Sequence, residues 1–331
     1  MSRIAVIPGL DPASYQRSTL HAEDRIWLEK NCYVDIWIAL LQALHLEPRA
    51  MLGFTMAVDF EGDQWTFFKP KHEELRELYG IDVQELNVWR PLLDHAVEHL
   101  SAGKFISTEA DAFWLPDTAG TDYRRQHVKS TIVLADIDVD GQRLGYFHNA
   151  GYYALEGEDF VQTFRVGFPP DPAFLPLFAE LVRIDGLVRR TEAELAEIAL
   201  RLLRQWVRRR PAYNPITRFR ERLERDVPAL LKAGLPYYHA WAFGTVRQLG
   251  AASELAKLHL VWLGSLTAYD LASPAEAFSD IASATKLLIL KLARAVNCGR
   301  PPQLEALFCE MENHLDDALR ELQLALGVGN T

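Results

Sequence analysis

The strongest constraint on this chain is the place where its hydrophobic period changes. Up to residue 168, short β-branched runs alternate with helical ones; from about Asp171 the alternation stops and a 3.6-residue period continues almost to the end. Pro169, Pro170 and Pro172 stand at the change, where a proline cluster breaks either kind of element. Such a pattern predicts an α+β unit over 1–168 followed by an all-helical bundle over 169–331. With 49% hydrophobic and 24% charged residues, both parts can bury a core without staples.

In the first part, Cys32–Leu44 reads as a helix. Trp37, Leu40, Leu41 and Leu44 recur at helical spacing, and Asn31 stands where an N-cap belongs. Met51–Val58 is a short apolar run expected as a strand. His72–Tyr79 and Val88–Leu100 read as helices stopped by Gly80 and Gly103. Lys104–Trp114 is β-like, and Thr131–Ile137 with Leu144–Asn149 makes the clearest hairpin, turning within 138–141. In the second part, helices are expected at 173–184, 191–209, 215–232, 237–268, 274–297 and 302–326, with a break at Gly244 or Gly250. Thr191 and Glu194 have the spacing of a capping box.

Several function classes recede on composition. Three cysteines, Cys32, Cys298 and Cys309, cannot all pair, so reduced thiols and a cytoplasmic location are expected. The start has no signal-peptide pattern, and no apolar run is long enough to span a bilayer. The net charge is −10, and residues 1–168 hold 15 Lys and Arg against 26 Asp and Glu. That acidity repels phosphate backbones, so nucleic acid is not expected as a partner; without a spanning run, neither is a membrane. Asp59, Glu61 and Asp63 lack a calcium-loop spacing, and no metal is expected.

The residues that can do chemistry begin with Cys32. At the first position of a helix, backbone N–H groups and the helix dipole favour a thiolate and can hold an oxyanion. The competing reading is a structural cysteine. His127, just before the Thr131 strand, is a candidate base; Asn149, at the end of the return strand, is a candidate orienter of the imidazole. Cysteine on an early helix, histidine entering a hairpin and asparagine leaving it is the chain order of papain-like folds. A hairpin turning at Val139–Asp140 would set Asn149 opposite Ser130 and His127 opposite Tyr152. A bulge, a histidine reaching in from the loop, or a lost base would each explain that offset. His148 is a second candidate base, although alternation puts it on the other face from Asn149. Asp111, Asp117, Thr118 and Tyr123 lie in a polar loop that could bind a substrate amine, or simply make turns. In the helical part, twelve arginines fall between Arg183 and Arg225; Arg201, Arg204 and Arg208 share one helix face, a solvated surface or a dock for an acidic partner.

Several stretches resemble a bacterial family of uncharacterised proteins, DUF1839. They are Glu29-x-Asn31-Cys32-Tyr33-x-Asp35-x-Trp37, Asp59–Trp65, the loop from Asp111 to His127, Phe147–Tyr153 and Gly157–Phe160, with Arg247-Gln248-x-Gly250-Ala251 and Ala284-x-Lys286 in the helical part. More distantly, the first part is similar to the BtrH-type acyltransferases, which are papain-like. That resemblance rests on Cys32, on Asp111 with Leu115-Pro116, and on a histidine before the apolar strand. It implies an aminoacyl group moving from a carrier-protein thioester through Cys32 to a small amine acceptor, with Asn31 beside the oxyanion. No cofactor is implied, since phosphopantetheine would arrive on the carrier. In the BtrH-type pattern the histidine directly precedes the strand, where this chain has Ser130. That departure opens a second reading, a catalytically lapsed binding module for an aminoacylated carrier protein or its amino acid:carrier-protein ligase. A third is a cysteine hydrolase, either peptidase or thioesterase.

Overall fold

The computed structural model describes residues 3–29, 31–169 and 177–328. The chain divides into two compact units. The first takes Met1–Ala22, Cys32–Pro48 and His72–Arg189; the second takes Glu23–Asn31, Arg49–Lys71 and Arg190–Thr331. The division after Arg189 falls later than the proline cluster, and two early segments belong with the helices.

The first unit contains β1 (Ile4–Ala5), α1 (Cys32–Ala43), α2 (His72–Tyr79), β4 (Asp82–Glu85), α3 (Leu92–Ser101), β5 (Phe105–Asp111), β6 (Lys129–Asp138), β7 (Arg143–His148), β8 (Gly151–Glu156), α4 (Glu158–Phe164) and β9 (Ala179–Arg183). The short strands β2 (Phe60–Glu61) and β3 (Gln64–Trp65) form a hairpin in the second unit. The main sheet runs β4-β9-β5-β6-β7-β8, with β1 beside the far end of β6. Every pairing in it is antiparallel.

Helix α1 is apolar almost all round. Val34, Ile36, Trp37, Ile38, Ala39, Leu40 and Leu41 are all buried, the pattern of a helix enclosed by its neighbours. It packs on β6, β7 and β8. Tyr15 pins this layer by donating to the Ala39 carbonyl (3.1 Å) while its ring lies edge-on to Phe147 (6.1 Å). α1 therefore covers the sheet face carrying Val133, Phe147 and Tyr152. The opposite face carries Ile132, Leu134 and Tyr146, which join Ala96 and Leu100 of α3 and Phe160 and Phe164 of α4 in one hydrophobic cluster.

Three expectations are corrected. The run at 51–58 is not a strand but part of a 3-10 helix, Pro48–Ala57. Within the second unit Gly53 lies so close to Trp206 that a β-carbon would come within 3.3 Å of the indole, and this backbone approach suits a tight coil. The helix expected at 173–184 is, where described, strand β9; residues 170–176 lie outside the described residues. A short apolar run looks the same in a buried helix and in a central strand. The hairpin register also differs. Asp138 pairs with Arg143 and, after an irregularity between Leu134 and Asp136, Val133 pairs with Phe147. The turn is longer than two residues because the Asp138 carboxylate accepts from the Gly141 N–H (2.9 Å).

The second unit holds α5 (Glu192–Arg208), α6 (Pro215–Ala233), α7 (Leu235–Gly244), α8 (Val246–Leu266), α9 (Ala272–Cys298) and α10 (Glu305–Leu326). The break anticipated in the 237–268 segment comes at Thr245, directly after Gly244. None of the described helices is long and apolar enough to cross a membrane.

Candidate active site

Cys32 is the first residue of α1, a free thiol that is only partly buried. Asp35 lies one turn further along the same helix face. It is the only charged residue in α1, and a lone carboxylate in an apolar helix needs a partner. That partner is His21, whose Nε2 is 2.9 Å from Asp35 Oδ1, with both side chains essentially excluded from solvent. The other ring nitrogen, Nδ1, is buried without a hydrogen-bond partner. His21 was not among the sequence candidates; the solitary Asp35 was the available signal for it.

Next to Cys32 in the chain, Tyr33 donates its hydroxyl to Glu180 Oε2 (3.0 Å), and His72 Nε2 lies 2.9 Å from the same hydroxyl. Burial, and then the Glu180 charge, push the Tyr33 hydroxyl well above its ordinary pKa, so it remains a donor. Asn31 is buried, its amide donating to the Phe68 carbonyl (3.0 Å).

The candidate bases have partners of their own. His127 sits on the exposed loop before β6, stacked on Phe113 (4.4 Å), with Nδ1 2.6 Å from Asp111 Oδ2. His148 ends β7 and faces away from α1, on the side of Ile132 and Tyr146. Its Nε2 is 2.6 Å from the Ser130 hydroxyl and its Nδ1 2.6 Å from Asp117 Oδ2. Asp117 Oδ1 accepts the Tyr146 hydroxyl at 2.5 Å. Asn149 holds neither ring. It is the first residue of the two-residue turn joining β7 to β8, with φ of 46°, a conformation asparagine tolerates better than most residues.

The polar loop is mostly committed to its own fold. The Thr118 hydroxyl donates to the Ala112 and Leu115 carbonyls, closing the turn that presents Asp117. Tyr123 donates to Asp159 (2.8 Å), which also pairs with Arg124. Asp111 and His127 remain the solvent-facing members. In the helical unit, Arg204 is half-buried, donating to the Tyr269 hydroxyl (2.6 Å) and the Leu326 carbonyl (3.3 Å), whereas Arg201 and Arg208 are exposed. Asp59 and Glu61 face Arg218.

The helical motifs hold a segment from early in the chain. Glu254, buried, accepts the Ile26 and Trp27 N–H groups (2.8 and 3.0 Å). The Trp27 indole donates to Ala282, lies against Gly250 and receives Lys286 over its ring at 4.4 Å. Arg247 pairs with Glu29 (3.2 Å).

These features define a class: an antiparallel-sheet unit with a cysteine-headed helix on one face and a Ser-His-Asp array on the other, joined to a helical unit. The DUF1839 N-terminal domain matches residues 16–184 and the DUF1839 C-terminal domain residues 192–323. The chain belongs to the DUF1839 family. The comparison with curated proteins finds no match.

Proposed function

We propose that the protein is an acyltransferase that moves an acyl group, aminoacyl in kind, from a carrier-protein thioester to an amine through an acyl-enzyme on Cys32. The observation that carries this reading is a partly exposed thiol at the first position of α1, with Asp35, the carboxylate that holds buried His21, one turn further along the same helix. A cysteine heading a helix that packs on an antiparallel sheet also supports a papain-like arrangement. The role of base passes in this reading from His127 or His148 to His21, and that of orienter from Asn149 to Asp35.

Cys32 Sγ gives its proton to His21 and attacks the thioester carbonyl carbon. The new C–S bond forms, the donor C–S bond breaks, and the carrier thiol leaves with the proton. The acceptor amine then attacks the acyl group, yielding its proton through His21 to Cys32 as the amide forms. Backbone N–H groups of the first turn of α1 would hold the oxyanion. Asp111, at the end of β5, is the candidate for the substrate ammonium, and within the helical unit exposed Arg201 and Arg208 are the candidates for an acidic carrier. The three free thiols suit a cytoplasmic setting.

The test is acyl transfer from an aminoacyl-pantetheine thioester to an amine. Cys32→Ala should abolish product, and His21→Gln should lower the rate by about 100-fold or more. Transfer by Cys32→Ala at the wild-type rate would end the proposal. A second reading, a catalytically lapsed module that binds the aminoacylated carrier or its ligase, is favoured by Ser130, which stands where the BtrH-type pattern has its histidine. It predicts carrier binding without turnover. Appearance of free acid instead of amide would mark the hydrolase.

A further inference from the structure

The array on the other face of the sheet is used by none of the steps above. Ser130 lies one residue inside the start of β6, His148 ends β7, and Asp117 sits in the 3-10 turn Pro116–Thr118. His148 and Asp117 are almost entirely buried, at 1% and 3% side-chain exposure, while Ser130 is partly open to solvent. The hydroxyl is therefore the most accessible member of the array.

The hydrogen bonds set the direction of the proton. Burial, and then the Asp117 charge, raise the Tyr146 pKa far above its ordinary value, so Tyr146 donates to Asp117. With the carboxylate accepting from both its partners, the neutral form of the His148 ring has its proton on Nδ1. Nε2 is then the bare nitrogen and accepts from the Ser130 O–H. This is the tautomer that a general base requires. A purely structural imidazole has no need to end on a solvent-reachable hydroxyl, and a buried His-Asp pair is costly beside an apolar core. The ladder partner of Ser130 on β5 is Ala110, which has a small side chain.

We infer that Ser130, His148 and Asp117 form a second nucleophilic centre, with Ser130 accepting a short acyl group from an activated ester or thioester. Ser130 Oγ attacks the carbonyl carbon while its proton passes to His148 Nε2. The Oγ–C bond forms, the C–O or C–S bond breaks, and the leaving alkoxide or thiolate takes the proton from His148. Water then attacks the acyl-serine, giving one proton to His148 that returns to Ser130 Oγ as the free acid departs.

The experiment uses the full chain in a Cys32→Ala background, so that the thiol proposed above contributes nothing and the two ideas fail separately. A fluorophosphonate probe is added and the adduct is mapped by mass spectrometry. The expected result is a single adduct on Ser130, with fluoride released, that is absent in Ser130→Ala and slowed about 100-fold or more in His148→Gln. Prior incubation with p-nitrophenyl acetate should block labelling and release about one p-nitrophenolate per chain in a burst, a readout that needs no buried substitution. Absence of both adduct and burst, an adduct elsewhere, or equal labelling of folded His148→Gln would overturn the inference.

Discussion

A single hydrogen at position 250 separates a seated Trp27 from a displaced one. A β-carbon on Gly250 of α8 would overlap the indole, which is itself held by Ala282, Lys286 and the Glu254-bound backbone. Gly250→Ala should destabilise the second unit by about 1–3 kcal/mol, the usual cost of overpacking, despite the better helix propensity of alanine. Chemical denaturation checks this, and a midpoint unchanged from wild type would show that Trp27 is not tightly held there. The motif around Gly250 was visible in the sequence, but its meaning was not, because its partner stands more than two hundred residues earlier. His21 was missed for a related reason: no spacing rule links a residue before a helix to the carboxylate one turn inside it. His148 was recognised as a possible base, but its partner Ser130 became apparent only once the bulge had reset the register.

Helix α5 shows what local chemistry can specify. Thr191 accepts from the Glu194 N–H (3.3 Å), and Glu194 reaches back to the Thr191 N–H (2.8 Å), the reciprocal box expected from their spacing. Thr191→Ala should cost about 1 kcal/mol, read as a lower thermal midpoint, while Thr191→Ser should keep most of it. Equal melting of Thr191→Ala and wild type would mean that α5 is fixed by packing alone. α1, α2 and the later helices were legible in the same way, from caps, stops and the 3.6-residue period. Strand β9 was not, because Ala179-Glu180-Leu181-Val182-Arg183 is only five residues long and lacks strict alternation. Strands β4 and β8 and helix α4, each seven residues or fewer, carried too little pattern to be separated from loops.

Over the whole molecule, the two units are interleaved in sequence, since Glu23–Asn31 and Arg49–Lys71 belong to the helical one. One tie between such a segment and the helices also governs pH stability. His259 of α8 is fully buried, with Nδ1 donating to the Arg49 carbonyl at 2.7 Å and Nε2 without a partner. Burial lowers its pKa to about 4, against which the Arg49 hydrogen bond acts weakly. Between pH 6.5 and about 4 the unfolded chain binds a proton that the folded chain refuses, so stability falls as pH falls. The loss approaches about 3 kcal/mol once both forms are protonated. His259→Asn, which carries no titrating group, should show a shallower decline of the denaturation midpoint over that window; an identical slope would remove His259 as the cause.

The proposed function stands on Cys32 taking up an acyl group covalently. Full-length protein exposed to an aminoacyl-pantetheine thioester, quenched in acid, digested and mapped by mass spectrometry tests it most directly. The expected result is an acyl mass on the peptide containing Cys32 that is missing from Cys32→Ala. A wild-type map with no acyl mass on Cys32, under conditions in which free cysteine is acylated by the same thioester, would contradict it.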